Sequence, residues 1–161
     1  MKIAIVYYSK SGNTKKVAEL IEEGAKRVSN VEVKCMSIEA ADDDFIQEAK
    51  AVFFGSPTIT GTFSWQIKQW LDTARHLKFA GKLGAVFATA NYVGGGADLA
   101  ELSMIGQLLV KGMLIYSVGA AEGQPFTHYG AVCIKDGDEG QQDRARIFGE
   151  RIAKKAVELF A

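Results

Sequence analysis

Tyr8-Ser9-Lys10-Ser11-Gly12-Asn13-Thr14 is the stretch around which this chain is organised. The apolar run Ile3-Ala4-Ile5-Val6-Tyr7 feeds into it, and a helix-patterned segment leaves it. The stretch is therefore expected to be a loop where a first strand hands over to a first helix. It carries hydroxyls, a glycine and an asparagine, and no acidic residue. Hydroxyls donate hydrogen bonds, and a helix N-terminus adds unpaired N–H groups and a partial positive charge. Such a loop suits the phosphate of a nucleotide-like cofactor.

The rest of the chain repeats that hand-over. The first strand, Lys2 to Tyr8, is apolar almost throughout, as a strand buried on both faces should be. A helix follows from Asn13 or Thr14 to Val28, with Val17, Leu20, Ile21 and Val28 on one face. Val31 to Met36 alternates as a second strand. Asp42-Asp43-Asp44 reads as the capped start of a short solvated helical turn rather than a metal site.

Ala51-Val52-Phe53-Phe54-Gly55 is a third strand and runs into a second polar loop, Ser56 to Thr62. Ile67, Trp70, Leu71, Ala74 and Leu77 then mark a helix with a core-facing stripe, and Trp65 lies off that stripe. Lys82 to Ala90 is a fourth strand, followed by a third loop, Thr89 to Gly96. Leu99, Leu102, Ile105, Leu108 and Leu109 form an apolar helix, closed by Gly112. Met113 to Val118 is a fifth strand, Ala131 to Ile134 a short extension of it, and Gln141 to Phe160 a closing helix.

The alternation predicts one α/β domain over residues 1–161 with a five-stranded parallel sheet. Right-handed crossovers put every strand C-terminus at one sheet edge, so the three polar loops become one site. Charge adds little: 19 Lys+Arg balance 19 Asp+Glu, which points away from nucleic acid and from a charged membrane surface. No apolar run approaches the ~20 residues of a membrane span. Cys35 and Cys133 lie far apart and read as small buried thiols. With no basic-then-apolar leader at the start, the expectation is a cytoplasmic protein.

The loops also exclude several chemistries. A phospho-accepting receiver domain needs carboxylates after strands one and three, where this chain has Ser9, Lys10, Ser56 and Pro57. The GxxxxGK[ST] phosphate loop and the GxSxG nucleophile elbow are absent, and Gly94-Gly95-Gly96 is not a GxGxxG fingerprint. What remains is a neutral, donor-rich pocket suited to a phosphate and a flat polar ring, with Tyr92 as a stacking candidate.

At this point the residues resemble a family. Tyr7 to Thr14 resembles the FMN phosphate loop of flavodoxin-like proteins, and Gly55-Ser56-Pro57-Thr58 with Gly61 resembles their second flavin loop. Thr89 to Gly96, Gly112-Met113-Leu114-Ile115 and Gln124 to Ala131 look like the WrbA-type NAD(P)H:quinone oxidoreductases. The resemblance spans the chain and implies a flavodoxin-like three-layer sandwich with strand order 2-1-3-4-5. It implies FMN as cofactor, with the phosphate on Ser9, Lys10, Ser11, Gly12, Asn13 and Thr14. Pro57, Thr58, Ile59, Thr60 and Gly61 would meet the ribityl and ring edge, and Thr89, Ala90, Asn91, Tyr92 and Gly95 the far side.

The departures from that pattern are local. The chain lacks those reductases' insertion between strands two and three, and carries Ile59-Thr60 for an Arg–aromatic pair and Lys111 for a histidine. Three functions stay open. The first is an oxidoreductase passing hydride from NAD(P)H through FMN to a quinone-like acceptor, with His128 or Tyr129 assisting proton delivery and a homodimer or tetramer as its assembly. The second is a carrier serving redox protein partners. The third is a flavin-binding scaffold or sensor. The neutral loops favour the first, because negative charge near the ring would oppose a reduced, anionic flavin.

Overall fold

The computed structural model describes residues 1–161. The elements in order are β1 (Lys2–Tyr7), α1 (Asn13–Ala25), β2 (Glu32–Ser37), α2 (Asp43–Glu48), β3 (Ala51–Ile59) and β4 (Thr62–Phe63). They continue with α3 (Trp65–Thr73), β5 (Leu83–Ala90), α4 (Ala97–Val110), β6 (Leu114–Ile115), β7 (Ala131–Ile134) and α5 (Glu139–Phe160).

The sheet order is β2-β1-β3-β5-β6, and each of these pairs is parallel. Because β4 is only a short antiparallel arm on β3, this is the expected 2-1-3-4-5 arrangement. The strands sort their side chains by parity. Ile3, Ile5, Phe53, Ala85 and Phe87 enter a core with α1 and α5. Ala4, Val6, Val52, Phe54 and Val86 enter a second core with α2, α3 and α4. Edge-to-face ring pairs, Phe53–Phe148 in the first core and Phe54–Phe79 in the second, tie helices or loops to the sheet centre. The helices α1 and α5 cross at two glycines: a Cβ on Gly24 would lie 1.8 Å from the Arg146 carbonyl oxygen, and one on Gly149 2.1 Å from that of Ile21.

The structure departs from the sequence pattern at element ends. α1 stops at Ala25, not Val28, because its last turn tightens: Arg27 and Val28 donate to Gly24 and Ala25. α3 stops at Thr73, with Ala74 leaving helical geometry, although Ala74 and Leu77 are buried as expected. The fifth strand shortens to Leu114–Ile115 and is then interrupted by residues 116–130. Val118 there has φ 68°, a costly conformation for a β-branched residue. The position refills further along: β6 pairs with Leu83–Gly84 and β7 with Phe87–Ala90.

The largest correction concerns α4. Leu108 is buried, but Leu99, Leu102 and Leu109 of the expected stripe are exposed. The inward face is Ala97, Ala100, Glu101, Met104 and Leu108. Ala97 and Ala100 pack against Ala88 and Ala90 of β5. Small residues on both sides let backbone approach backbone, and close packing outweighs the larger hydrophobicity of the leucines. The aspartate triplet follows expectation: Asp42 caps α2 by accepting from the Phe45 N–H. Burial pushes the Cys35 and Cys133 thiols up to about 12, so both stay protonated at neutral pH.

Candidate functional site

The first loop turns on Gly12, which occupies the N-cap of α1 at φ 95° with no side-chain cap. Its own N–H donates to Ser9 Oγ at 3.1 Å. Neither Ser11 nor Thr14 caps the helix, and its first turn holds no acid. α3 and α5, by contrast, are capped by the side chains of Ser64 and Asp138. α4 again begins on a left-handed glycine, Gly96, without a side-chain cap. The two uncapped helices are those that follow the first and third polar loops, so their terminal N–H groups are left for an outside acceptor.

The second loop is not irregular. β3 runs to Ile59 and returns as β4, pairing Thr58 with Phe63 and Ile59 with Thr62. Thr60 and Gly61, at φ 48° and 76°, form the two-residue turn, both left-handed as a tight hairpin of this hand requires. Its base is locked by Ser56, whose Oγ accepts from the Ser64 N–H and donates to the Pro57 carbonyl, both at 2.8 Å. Its tip abuts the third loop: a Cβ on Gly96 would lie 2.8 Å from Gly61 Cα.

The loops converge as topology requires. Thr14 Oγ1 and Thr89 Oγ1 share a buried 2.8 Å hydrogen bond that joins the first loop to the end of β5. A cavity of about 260 Å³ is lined by Lys10, Ser11, Asn13, Thr14, Pro57, Thr58, Ile59, Thr89, Ala90 and Asn91. Thr58 Oγ1 is buried there without a partner. Ser9, Gly12, Thr60 and Gly61 do not line it: Ser9 and Gly12 close the first loop on itself, and Thr60 and Gly61 form the hairpin tip. Tyr92 and Gly95 line an adjoining cleft. Ile59, Tyr92 and Val93 leave an exposed apolar rim, with Tyr92 66% exposed.

His128 and Tyr129 lie elsewhere. They line a cavity of about 190 Å³ with Glu101 and Arg144 rather than the one between the loops. Glu101 and Arg144 had no signal in the sequence: an acid in a leucine-rich helix, like an arginine in a long polar one, reads as solvent-facing. Gly96 was missed as well, although the uncapped helix start in a triple glycine is a usable clue.

An open, doubly wound sheet with a cavity at the C-terminal ends of its central strands defines a mononucleotide-binding α/β domain. The family model described as Flavodoxin matches residues 5–146, and the chain belongs to that family. It is 50% identical over 160 residues to a flavodoxin of Clostridium saccharobutylicum, covering 99% of this chain and 100% of that one. It is 30% identical over 188 residues to an NAD(P)H dehydrogenase (quinone) of Archaeoglobus fulgidus, covering 98% of each. A crystal structure of a flavodoxin, WrbA-like protein from Agrobacterium tumefaciens superposes with TM-score 0.82 at 24% identity, over 98% of each chain. The family implies FMN and electron transfer. No helix is long and apolar enough to cross a membrane.

Proposed function

We propose that this chain is an FMN-dependent electron carrier serving redox protein partners in the cytoplasm. The cofactor's phosphate sits on Ser9, Lys10, Ser11, Gly12, Asn13 and Thr14, its ribityl and ring edge on Pro57 to Gly61, and its far side on Thr89, Ala90, Asn91, Tyr92 and Gly95. The residues present fit such a group. The end of α1 lacks a side-chain cap, the buried Thr58 Oγ1 lacks a partner, and Lys10 is the one formal charge in the cavity lining. Bound FMN supplies the capacity to take up and release electrons one or two at a time. The protein orients it: the Thr14–Thr89 bond fixes the first loop against β5, and the locked hairpin holds Thr58 and Ile59 in place.

The observation that carries the carrier reading is the exposed apolar rim of Ile59, Tyr92 and Val93 beside the cavity. Electrons can pass where a partner protein covers such a rim, and an exposed aromatic is a common anchor of protein contacts. Full-length identity to a flavodoxin supports the same reading.

The second reading is an NAD(P)H:quinone oxidoreductase, assembled as a dimer or tetramer. Support comes from the full-length relative of that name and from polar loops free of carboxylates. Two measurements on the FMN-loaded protein separate them. The carrier is expected to show two well-separated one-electron steps in a reductive titration and no sustained oxidation of NADH or NADPH with benzoquinone. Rapid, FMN-dependent turnover with benzoquinone would overturn the carrier reading in favour of the second.

A further inference from the structure

The fifth-strand position is split between β6 and β7, and residues 116–130 cover the gap. This cover is firmly held. The Arg151 guanidinium donates to the carbonyls of Glu122, Gly123, Gln124 and Pro125 at 3.0–3.3 Å. Ser117 Oγ donates to the His128 carbonyl at 2.8 Å, and Thr127 Oγ1 to the Ser117 carbonyl at 2.7 Å. The space it closes is therefore pre-formed.

That space is the cavity of about 190 Å³ lined by Asp98, Glu101, Phe126, His128, Tyr129 and Arg144, among others. Glu101 is 1% exposed, and its Oε1 has no hydrogen-bond partner. Arg144 Nε is also buried and unpartnered. Leaving two such groups unsatisfied is costly, and both belong to one cavity lining. Phe126 and His128, both exposed, stack nearly parallel, 17° apart with centroids at 6.0 Å, and form the aromatic wall of the lining.

We propose that this cavity, which shares no lining residue with the cavity between the cofactor loops, is a second binding site for a small neutral planar ring bearing an amide-type edge. Charge selects neutrality. Burial, with the Asp98 carboxylate adding to it, pushes the Glu101 carboxyl well above the ordinary carboxylate range and favours its neutral, protonated form. Asp98 and Arg144 then bring one formal charge of each sign to the lining. A charged ligand would meet an unfavourable partner whichever its sign. Hydrogen-bond capacity selects the edge. A protonated carboxyl donates from one oxygen and accepts at the other, and Arg144 Nε donates. An amide supplies the complementary carbonyl and N–H side by side. The aromatic wall and the cavity size select one flat ring.

The test titrates the full-length, FMN-loaded protein with benzamide, following backbone amide shifts of residues 126–131. Benzoate and benzylammonium serve as charge controls. Saturable benzamide shifts centred on Gly130 are expected, with weaker response to both charged analogues. Glu101→Gln keeps both an acceptor and donors and should still bind. Glu101→Leu should lower affinity by about tenfold or more. If water alone fills the cavity, benzamide gives no saturable shift and the proposal fails. It fails equally if a charged analogue binds better, or if Glu101→Leu binds as the parent does. The flavin spectrum and FMN affinity are read in the same samples, so a failure of the cofactor assignment is seen separately.

Discussion

The two ends of the upper sheet edge are built differently. At β1, β3 and β5, hydroxyls and glycines meet, helix starts are uncapped, and Thr14 bonds Thr89 directly. At β5 and β7, a long segment patches a broken strand over a buried acid and a buried guanidinium nitrogen. The first region uses backbone donors and short polar side chains, so it can accept an anion with little rearrangement. The second uses long ionisable side chains whose buried polar atoms line a partly open space. A single fold thus carries one site shaped by topology and another shaped by an interruption of that topology.

If the two regions are independent, the strap over the second can be loosened without harming the first. Arg151 is largely buried, with a side chain 16% exposed, and its guanidinium serves four carbonyls. Arg151→Ala should cost about 2–4 kcal/mol of stability in urea unfolding, since carbonyls of the segment lose charge-assisted partners. FMN affinity should change less than about twofold. A parallel loss of FMN binding would show that residues 116–130 support the cofactor loops and that the division is false.

The complementary change acts on the first region. Thr14→Ala removes both the bond to Thr89 and a donor at the helix start. FMN affinity should fall by roughly 10- to 100-fold, as loss of a hydrogen bond to a charged group does, with about 1 kcal/mol lost in stability. Ser11→Ala, at an exposed position with no bond to another loop, should lower affinity by about tenfold with no change in stability. Fluorescence quenching of FMN measures both. Unchanged affinity in both variants would remove the phosphate from this loop.

The contrast also explains what could be read in advance. The first region was legible because its information is local: an apolar run, a polar loop without acids, then a helix, three times over. Topology alone then brings the loops together. Even there, the hairpin at Thr60–Gly61 was hidden, because Thr60 is an unusual residue for a left-handed turn. The second region depends on packing between distant segments. α4 is apolar on nearly every side, so periodicity could not choose its inner face. The choice fell to the fit of Ala97 and Ala100 against Ala88 and Ala90. That fit turns Glu101 inward, and nothing near Glu101 in the chain announces it.

The last test asks whether Glu101 is in fact neutral. The groups around its cavity are Asp98 on α4, Arg144 on α5, and His128 and Tyr129 of the covering segment. Its folded pKa is raised above the ordinary 4.5 by burial first and by Asp98 second. Between the unfolded value and the raised folded one, the folded chain holds a proton that the unfolded chain has released. Stability then falls as pH rises across that window, by up to about 1.4 kcal/mol per pH unit for one proton. Well below pH 4.5 both states are protonated and the group contributes no slope. Glu101→Gln removes the titration while keeping the shape. The variant should therefore match the parent near pH 4 and become relatively more stable as pH rises toward 7, with other groups cancelling in the difference. If the difference stays flat with pH, Glu101 titrates alike in both states. If it runs the other way, the folded structure stabilises the carboxylate, and Arg144 is its partner rather than a separate donor.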